Sequence, residues 1–415
     1  MAIQVTRTYV GHITNHQRVQ SDLDALGDAA SKLWNVARWT ADRVWDATGE
    51  IPDVGPLKAY MKTRDCWKNL NSQSSQKVIE ELSDSFQSWF DVRHSDQTAN
   101  PPGYRKEYHT RPRSTVTFKE DGFKLDTKHN QVRLSKGENL KDGWGDFILC
   151  EFETRNDVTL SDVDTVQNVR GVWNGDEWEV HFVVKETVET PDSPGDGVAG
   201  VDLGVSNIAA VAFPDEYVLY PGNTIKQDNH YFQQQEYATE GENGPSQQAQ
   251  RLQQKRTRRE THFYHTLTKT IIEECVERGV GTLVVGWPED VRSDDLRKTA
   301  NKWLHTWAFD RLYQYLNYKG EAHGVEVLKE NEWNTSKSCC ECGDTADSNR
   351  VERGLYVCDS CGLVANADCN GAENIRQKIT PNPAVDRSNG CLTQPSVYLF
   401  DTSTGEIAPQ EQVAP

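Results

Sequence analysis

Four cysteines in two pairs, Cys339/Cys342 and Cys358/Cys361, carry the most specific chemistry in the chain. Each Cys-x-x-Cys pair supplies two thiolates from one tight turn. The fifteen residues between the pairs form a loop that brings the two turns together, giving the ligand set of a tetrahedral zinc ion. Gly343 and Gly362 follow the pairs directly, where a knuckle turn needs backbone freedom. Cys340 stands too close to Cys342 for the usual knuckle and is left out of the set. With four thiolates no position on the ion stays open, so the zinc is structural.

The second chemistry is carried by isolated acids. Asp202 interrupts the apolar run GVAGVDLGVSNIAAVA at 197–212. A carboxylate in a buried strand is costly unless a cation sits against it, and Gly204 allows a ligand to approach closely; the alternative role for such an acid is capping a turn. Asp368 follows Cys361 by seven residues and stands at the start of a helix. A strand carrying Asp202, further strands and helices, and then Asp368 match the plan of an RNase H-like nuclease, whose dispersed carboxylates meet at strand ends. Such carboxylates hold two divalent ions about 4 Å apart, one activating water and one stabilising the leaving oxygen of a phosphodiester. Oxygen ligands favour Mg²⁺.

Basic residues supply the third chemistry. A helix over 246–278, with Ser246 as N-cap, carries Arg251, Lys255, Arg256, Arg258 and Arg259 in its first half and packs through Phe263, Leu267, Ile271 and Cys275. Its first half is suited to phosphate contact. Arg105 and Lys106, interleaved with Tyr104, Tyr108 and His109, either line a nucleic-acid groove or form a solvated strand face.

The elements that position these residues begin with a strand over 3–14. Helices follow over 21–44, capped by Ser21 with Asp24 three residues on and stopped by Gly49, and from about 74 to 89. After Pro101-Pro102-Gly103, short strands recur to about 190, including a hairpin at Asn174-Gly175; the first strand completes their sheet with the helices inserted between. The Pro- and Ser-rich stretch 190–195 marks a boundary. Beyond it come strands at 197–212, 282–285 and 325–328, a helix over 303–323, and a last helix over 371–378. Residues 381–415 show no period and are expected to be mobile.

Length and composition bound the reading. A chain of 415 residues makes two to four domains. Its mean hydropathy is −0.74, no apolar run is long enough to cross a bilayer, and its start shows no secretory signal. Ten cysteines, four of them in knuckles, fit a reducing, cytoplasmic location. A net charge of −18 runs against nucleic-acid binding; acids spread evenly along the chain fit a protein adapted to concentrated salt.

Four segments together point to one family. They are GVDLGVSN around Asp202, RLQQKRTRRETHFYHTLTKTI, YKGEAHGVEVLKENEWNTSKSCCECG and YVCDSCGLVANADCNGAENI. The chain resembles TnpB (OrfB), the transposon-encoded RNA-guided DNA endonucleases related to compact type V Cas nucleases, here of a halophilic archaeal type. The likeness is most specific over 197–375, and before 190 it rests on the order of elements. It implies a multidomain α+β and α/β protein: a β-rich wedge domain at 1–16 and 100–190, a helical recognition domain at 17–99, a RuvC-like nuclease domain at 195–333 and 366–380, a zinc ribbon at 334–365, and a flexible tail at 381–415. It also implies an Asp-Glu-Asp site, a guide RNA from the transposon end, and a double-stranded DNA target beside a short flanking motif.

Asp202 and Asp368 match the first and third acids of that site. The family places its middle Glu at the end of the strand after the basic helix, where this chain has Gly286. Glu332, at the end of the next strand, is expected to replace it, with Glu289 as the alternative. Adjacent parallel strands lie about 4.8 Å apart, so an acid on the neighbouring strand end reaches the same ions. The rival readings are a nuclease-inactive RNA-guided DNA-binding protein and a transposase accessory protein.

Overall fold

The computed structural model describes residues 2–93, 99–106, 112–141, 145–154, 160–161, 163–241, 244–287, 300–352, 354–380 and 392–410. The chain divides into two compact units, one of residues 3–188 and 239–254, the other of the remainder.

In the first unit, β1 (Ala2–Ile13) leads into three helices, α1 (His16–Thr48), α2 (Val54–Met61) and α3 (Ser72–Val92). The strands β2 (Val116–Lys119), β3 (Phe123–Asp126), β4 (Gln131–Ser135), β5 (Phe147–Thr154), β6 (Thr165–Trp173) and β7 (Trp178–Glu189) follow. They form a nearly closed, barrel-like sheet in the order β2-β6-β7-β1-β5-β4-β3. β1 lies in its middle, pairing antiparallel with β5 through Gly11 and Thr154. Chain-distant β1 thus joins β7 to β5 in the sheet, with the helices inserted after it in the chain.

α1 starts earlier than its sequence signals indicate. Asn15, not Ser21, occupies the N-cap, and Asp24 is used elsewhere: its carboxylate accepts hydrogen bonds from Arg113 and from the indole N–H of Trp178 at 2.8 Å. The capping-box pattern is therefore a tertiary contact. Gly49 ends the helix in the left-handed region, at φ 75°, as its position predicts.

The second unit is built on β8 (Gly197–Leu203), β9 (Asn207–Ala212), β10 (Tyr217–Pro221) and α4 (Asn223–Thr239). Two-residue strands β11 (Glu240–Gly241) and β12 (Gly244–Pro245), counted with the first unit, lead into α5 (Gln247–Glu277), whose first turns belong to that unit and the rest to the second. β13 (Val280–Trp287), α6 (Ala300–Ala322) and β14 (Glu326–Asn331) follow. Then come β15 (Arg350–Glu352), β16 (Leu355–Val357), β17 (Val364–Asn366), α7 (Ala367–Gln377), β18 (Ser396–Asp401) and β19 (Glu406–Pro409).

The large sheet runs β14-β13-β8-β9-β10-β18-β19. β14, β13 and β8 are parallel, while β9 runs antiparallel to β8 and to β10. This is the RNase H-like order. β15, β16 and β17 form a separate antiparallel sheet. The tail is a correction: β18 pairs parallel with β10, and β18 and β19 form a hairpin. Tyr398 and Phe400 pack on the main core, so Ser396–Asp401 is an alternating strand whose partner lies far away in sequence. Among the described residues, no helix is long and apolar enough to cross a membrane.

Candidate active site and metal centre

Because β8, β13 and β14 are parallel, their C-terminal ends open on one edge of the sheet, where α/β sheets carry ligands. Asp202 lies near the end of β8, opposite Ala210 of β9. In β13, Gly286 is level with Glu330 and Trp287 with Asn331. Glu332 follows β14 directly, its backbone N–H donating to the Trp287 carbonyl at 3.3 Å. Asp368 stands in the first turn of α7, capped by Asn366, whose side-chain oxygen accepts from the N–H groups of Asp368 and Cys369 at 3.0 and 3.3 Å.

Two glycines let α7 lie on β8. A Cβ at Gly371 would come within 2.4 Å of Asp202 Oδ2, and one at Gly200 within 2.3 Å of the Ala372 carbonyl. The helix therefore brings Asp368 to the strand that carries Asp202.

Asp202 feels the charges of both other acids. Burial, then the charges of Asp368 and Glu332, push the Asp202 carboxyl up to about 8, against the pull of Arg350. Burial also raises Glu332, opposed by Lys378. Asp368 is held by Asn207, whose Nδ2 donates to Oδ2 at 2.8 Å, and by Arg350, with Nη2 3.6 Å from Oδ1. Arg350 and Lys378 offset two of the three carboxylates, so with all three ionised one excess negative charge is left for a cation to neutralise, and an all-carboxylate donor set suits a hard cation.

The glycine at 286 has a physical explanation. A Cβ at Gly286 would lie 2.5 Å from Ile375 Cδ1 and 3.4 Å from Glu332 Oε2. The Glu332 carboxylate thus occupies the space beside the glycine. Glu289 lies outside the described residues.

We expect the charge excess to appear in stability. The folded chain keeps a proton on Asp202 that an unfolded aspartate releases near 3.8. Stability without magnesium should therefore fall as pH rises from about 4 to about 8. Asp202→Asn should remove that slope and raise stability at pH 8 by roughly 2–5 kcal/mol, read by thermal denaturation in magnesium-free buffer; an unchanged slope would refute the shared site.

The four predicted cysteine ligands converge. Their sulfur atoms all lie within 4.8 Å of one another, with Cys339 to Cys361 and Cys342 to Cys358 both at 3.6 Å. Zinc–sulfur bonds of about 2.3 Å in a tetrahedron put sulfurs roughly 3.8 Å apart, so the cluster fits zinc. Burial opposes ionisation of Cys358, but the backbone N–H groups of Cys361 and Ser360, then the neighbouring thiols, bring it down to about 7. Gly343 and Gly362 adopt φ of 75° and 76°, as the knuckle turns require.

Sequence reasoning missed the clamp between this centre and the acids. Asn370, Asn374 and Gln377 lie on one face of α7. Asn370 donates to the Ser338 carbonyl at 2.8 Å and accepts from the Cys340 N–H at 3.0 Å. Asn374 donates to the carbonyls of Thr335 and Ser338, and Gln377 to that of Cys340. The spacing of these amides along the helix, at four and then three residues, is the signal that could have found them. Asn207 was missed too, although it ends the segment GVDLGVSN.

The basic residues of α5 divide by unit. Arg251, in the first, is exposed, with its Nε 3.7 Å from Asp176. In the second, Arg259 forms a bidentate pair with Asp228, Arg256 donates to Asn229 at 2.9 Å, and Lys255 and Arg258 are exposed or nearly so. Arg105 and Lys106 belong to the first unit; Tyr108 and His109 lie outside the described residues.

Known proteins carry the same modules. The family described as a probable transposase (OrfB_IS605) matches residues 181–292, and the one described as Cas12f1-like, TNB domain, matches residues 309–375. The TnpB-like protein ORF457 of Acidianus two-tailed virus is 24% identical over 90% of this chain and 86% of its own. The CRISPR-associated endodeoxyribonuclease Cas12f1 of Sulfoacidibacillus thermotolerans is 30% identical over 43% of this chain and 44% of its own. A solved Cas12f1–sgRNA–target DNA complex superposes with a TM-score of 0.55 at 13% identity, covering 87% of this chain and 83% of that one, a likeness of fold.

Proposed function

We propose that this chain, a member of the TnpB (OrfB) family, is an RNA-guided DNA endonuclease whose RuvC-like site is Asp202, Glu332 and Asp368. The observation that supports the reading most is that Asp202, near the end of β8, feels the charges of Asp368 and Glu332, with the Glu332 carboxylate beside Gly286. Relatives named as TnpB-like and as an endodeoxyribonuclease, and a neighbour solved with guide RNA and target DNA, support the substrate.

The three carboxylates would hold Mg²⁺, as two ions, which supply an activated water and charge for the leaving oxygen of the phosphodiester. The chain's own residues set the frame. Asn207 and Arg350 fix the orientation of Asp368, and the Trp287 carbonyl anchors the backbone of Glu332. Burial keeps Asp202 and Glu332 basic enough to take up a cation as its attraction replaces their protons. Guide pairing reads the target sequence while the protein reads duplex shape and a short flanking motif. The basic positions Arg251, Lys255, Arg256, Arg258, Arg259, Arg105 and Lys106 contact phosphates.

The test is cleavage of a plasmid carrying the target and flanking motif by the chain with its cognate transposon-end RNA. We expect cutting in Mg²⁺ and none without the RNA. Guided binding with no cutting would make the chain a nuclease-inactive binding protein.

A further inference from the structure

A polar cavity of about 460 Å³ lies in the first unit, between the loop after α3, the turn joining β6 to β7, and the first turns of α5. Its lining includes Arg105, Lys106, Arg113 and Arg251, together with Tyr104 and Trp173, and no carboxylate among the described residues. In a chain with 63 acidic and 45 basic residues, four cations around one cavity without an acid form a local reversal of charge. Three of the four have carboxylate partners outside the lining: Arg113 is paired with Asp24 and Arg105 with Glu81, while Arg251 lies near Asp176.

The wall is preorganised. The loop carrying Arg105 is irregular, following two prolines and a glycine, and α1 holds it by its backbone. Trp34 donates to the Gly103 carbonyl at 2.9 Å, and Arg38 to that of Pro102 at 2.6 Å. Asn35 both donates to the Arg105 carbonyl and accepts from its N–H at 2.8 Å. Three side chains from adjacent turns of one helix thus fix a loop that has no ladder of its own.

The guanidinium of Arg105 stacks over Trp34 at 3.9 Å, and that of Arg113 over Trp173 at 4.0 Å. Arg105 Nη1 is buried and makes no hydrogen bond, and the side-chain oxygen of Gln254, on the opposite wall, is also buried and unpaired. Both residues line the cavity, and an unpaired buried donor and acceptor are costly until a ligand with both kinds of group satisfies them. A nucleotide has both, in its phosphate oxygens and its base-edge amino or imino groups. An unstacked base also finds aromatic and guanidinium planes to lie on.

From this geometry we infer that the cavity receives one unstacked nucleotide of a bound strand, its phosphate on Arg105 and Lys106 and its base toward Trp173 and Gln254. The inference rests on the nucleic-acid reading above and adds to it a single-nucleotide pocket.

The test uses the full chain and ten-nucleotide single strands, one DNA and one RNA, each with 2-aminopurine at one position. A change of 2-aminopurine fluorescence on binding is expected for one position in the strand. In Arg105→Gln/Lys106→Gln that change should disappear and affinity should fall about tenfold, while a Lys124→Gln control on exposed β3 keeps both. Thermal denaturation of the double variant, matching the parent, establishes that it is folded. Trp173→Ala should lose the fluorescence change with a smaller loss of affinity.

An unchanged signal in the folded double variant would overturn the pocket. Displacement of the strand by free dAMP at equal concentration would make it a mononucleotide site and overturn the assignment to a strand. If the pocket fails while the parent still cuts a guided target, this inference falls alone; if the parent cuts nothing, the endonuclease reading falls on that assay.

Discussion

Glu332→Gln should cut a guided target roughly 10³-fold more slowly than the parent chain, or worse, while still binding guide RNA and target. The glutamine keeps the volume and can still fill the space beside Gly286, so what it removes is charge. Since burial raises Glu332, the variant should also melt no lower than the parent in magnesium-free buffer. A slow, fully folded variant separates a role in the reaction from a role in packing. If Glu332→Gln keeps more than about a tenth of the parent rate, the middle acid lies elsewhere, and Glu289 becomes the candidate.

The same geometry predicts how the acid can be moved back. Gly286→Glu in a Glu332→Ala chain vacates the carboxylate's space, but the new Cβ still meets Ile375 Cδ1 at 2.5 Å, and Ile375 is fully buried. The double variant should therefore remain inactive or fold poorly, whereas adding Ile375→Ala opens the site and should restore measurable cutting. Recovery in the triple variant and not in the double would show that the position of the carboxylate, not its chain neighbours, sets activity.

What is legible in the amino-acid sequence is local. Asp202 stands out because it is the lone acid in an apolar run, and the cysteine spacing is itself a geometric statement about a metal. Asp368 is placed by the motif around it. The reason to propose Glu332 over a residue at 286 needs the register of β13 against β14, and it needs Ile375, a side chain from an element far further along the chain. Neither leaves a mark in the local pattern.

The same limit explains the missed elements. α4 is polar nearly all round, with no apolar period to announce it, and β18 makes sense as a strand only beside β10, which lies far back in the chain. Asp24 is the converse case: a good local signal is overridden because Arg113 and Trp178 need the same carboxylate.

Removing zinc should weaken cutting through α7, although no cysteine belongs to the acid site. We expect Cys342→Ser to lose the metal, measured as zinc per chain by elemental analysis, and to lower the cutting rate by about 10–100-fold, the scale seen when groups supporting a site's ligands are lost. The route is physical and specific. The first knuckle holds the backbone of residues 335–340, and Asn370, Asn374 and Gln377 tie that backbone to the helix that carries Asp368. The second pair leads through β17 into the same helix, and Arg350 on β15 reaches Asp368 itself. Glu332 lies three residues before the clamped stretch and is linked to it by the Thr335 N–H and hydroxyl, which both donate to the Glu332 carbonyl. Loosening the knuckle therefore frees two of the three acids at once. Asn374→Ala should reproduce part of the loss with zinc still bound, which distinguishes this linkage from simple unfolding of the metal domain. A Cys342→Ser chain that has lost its zinc and still cuts at the parent rate would show that the acids hold their places without it.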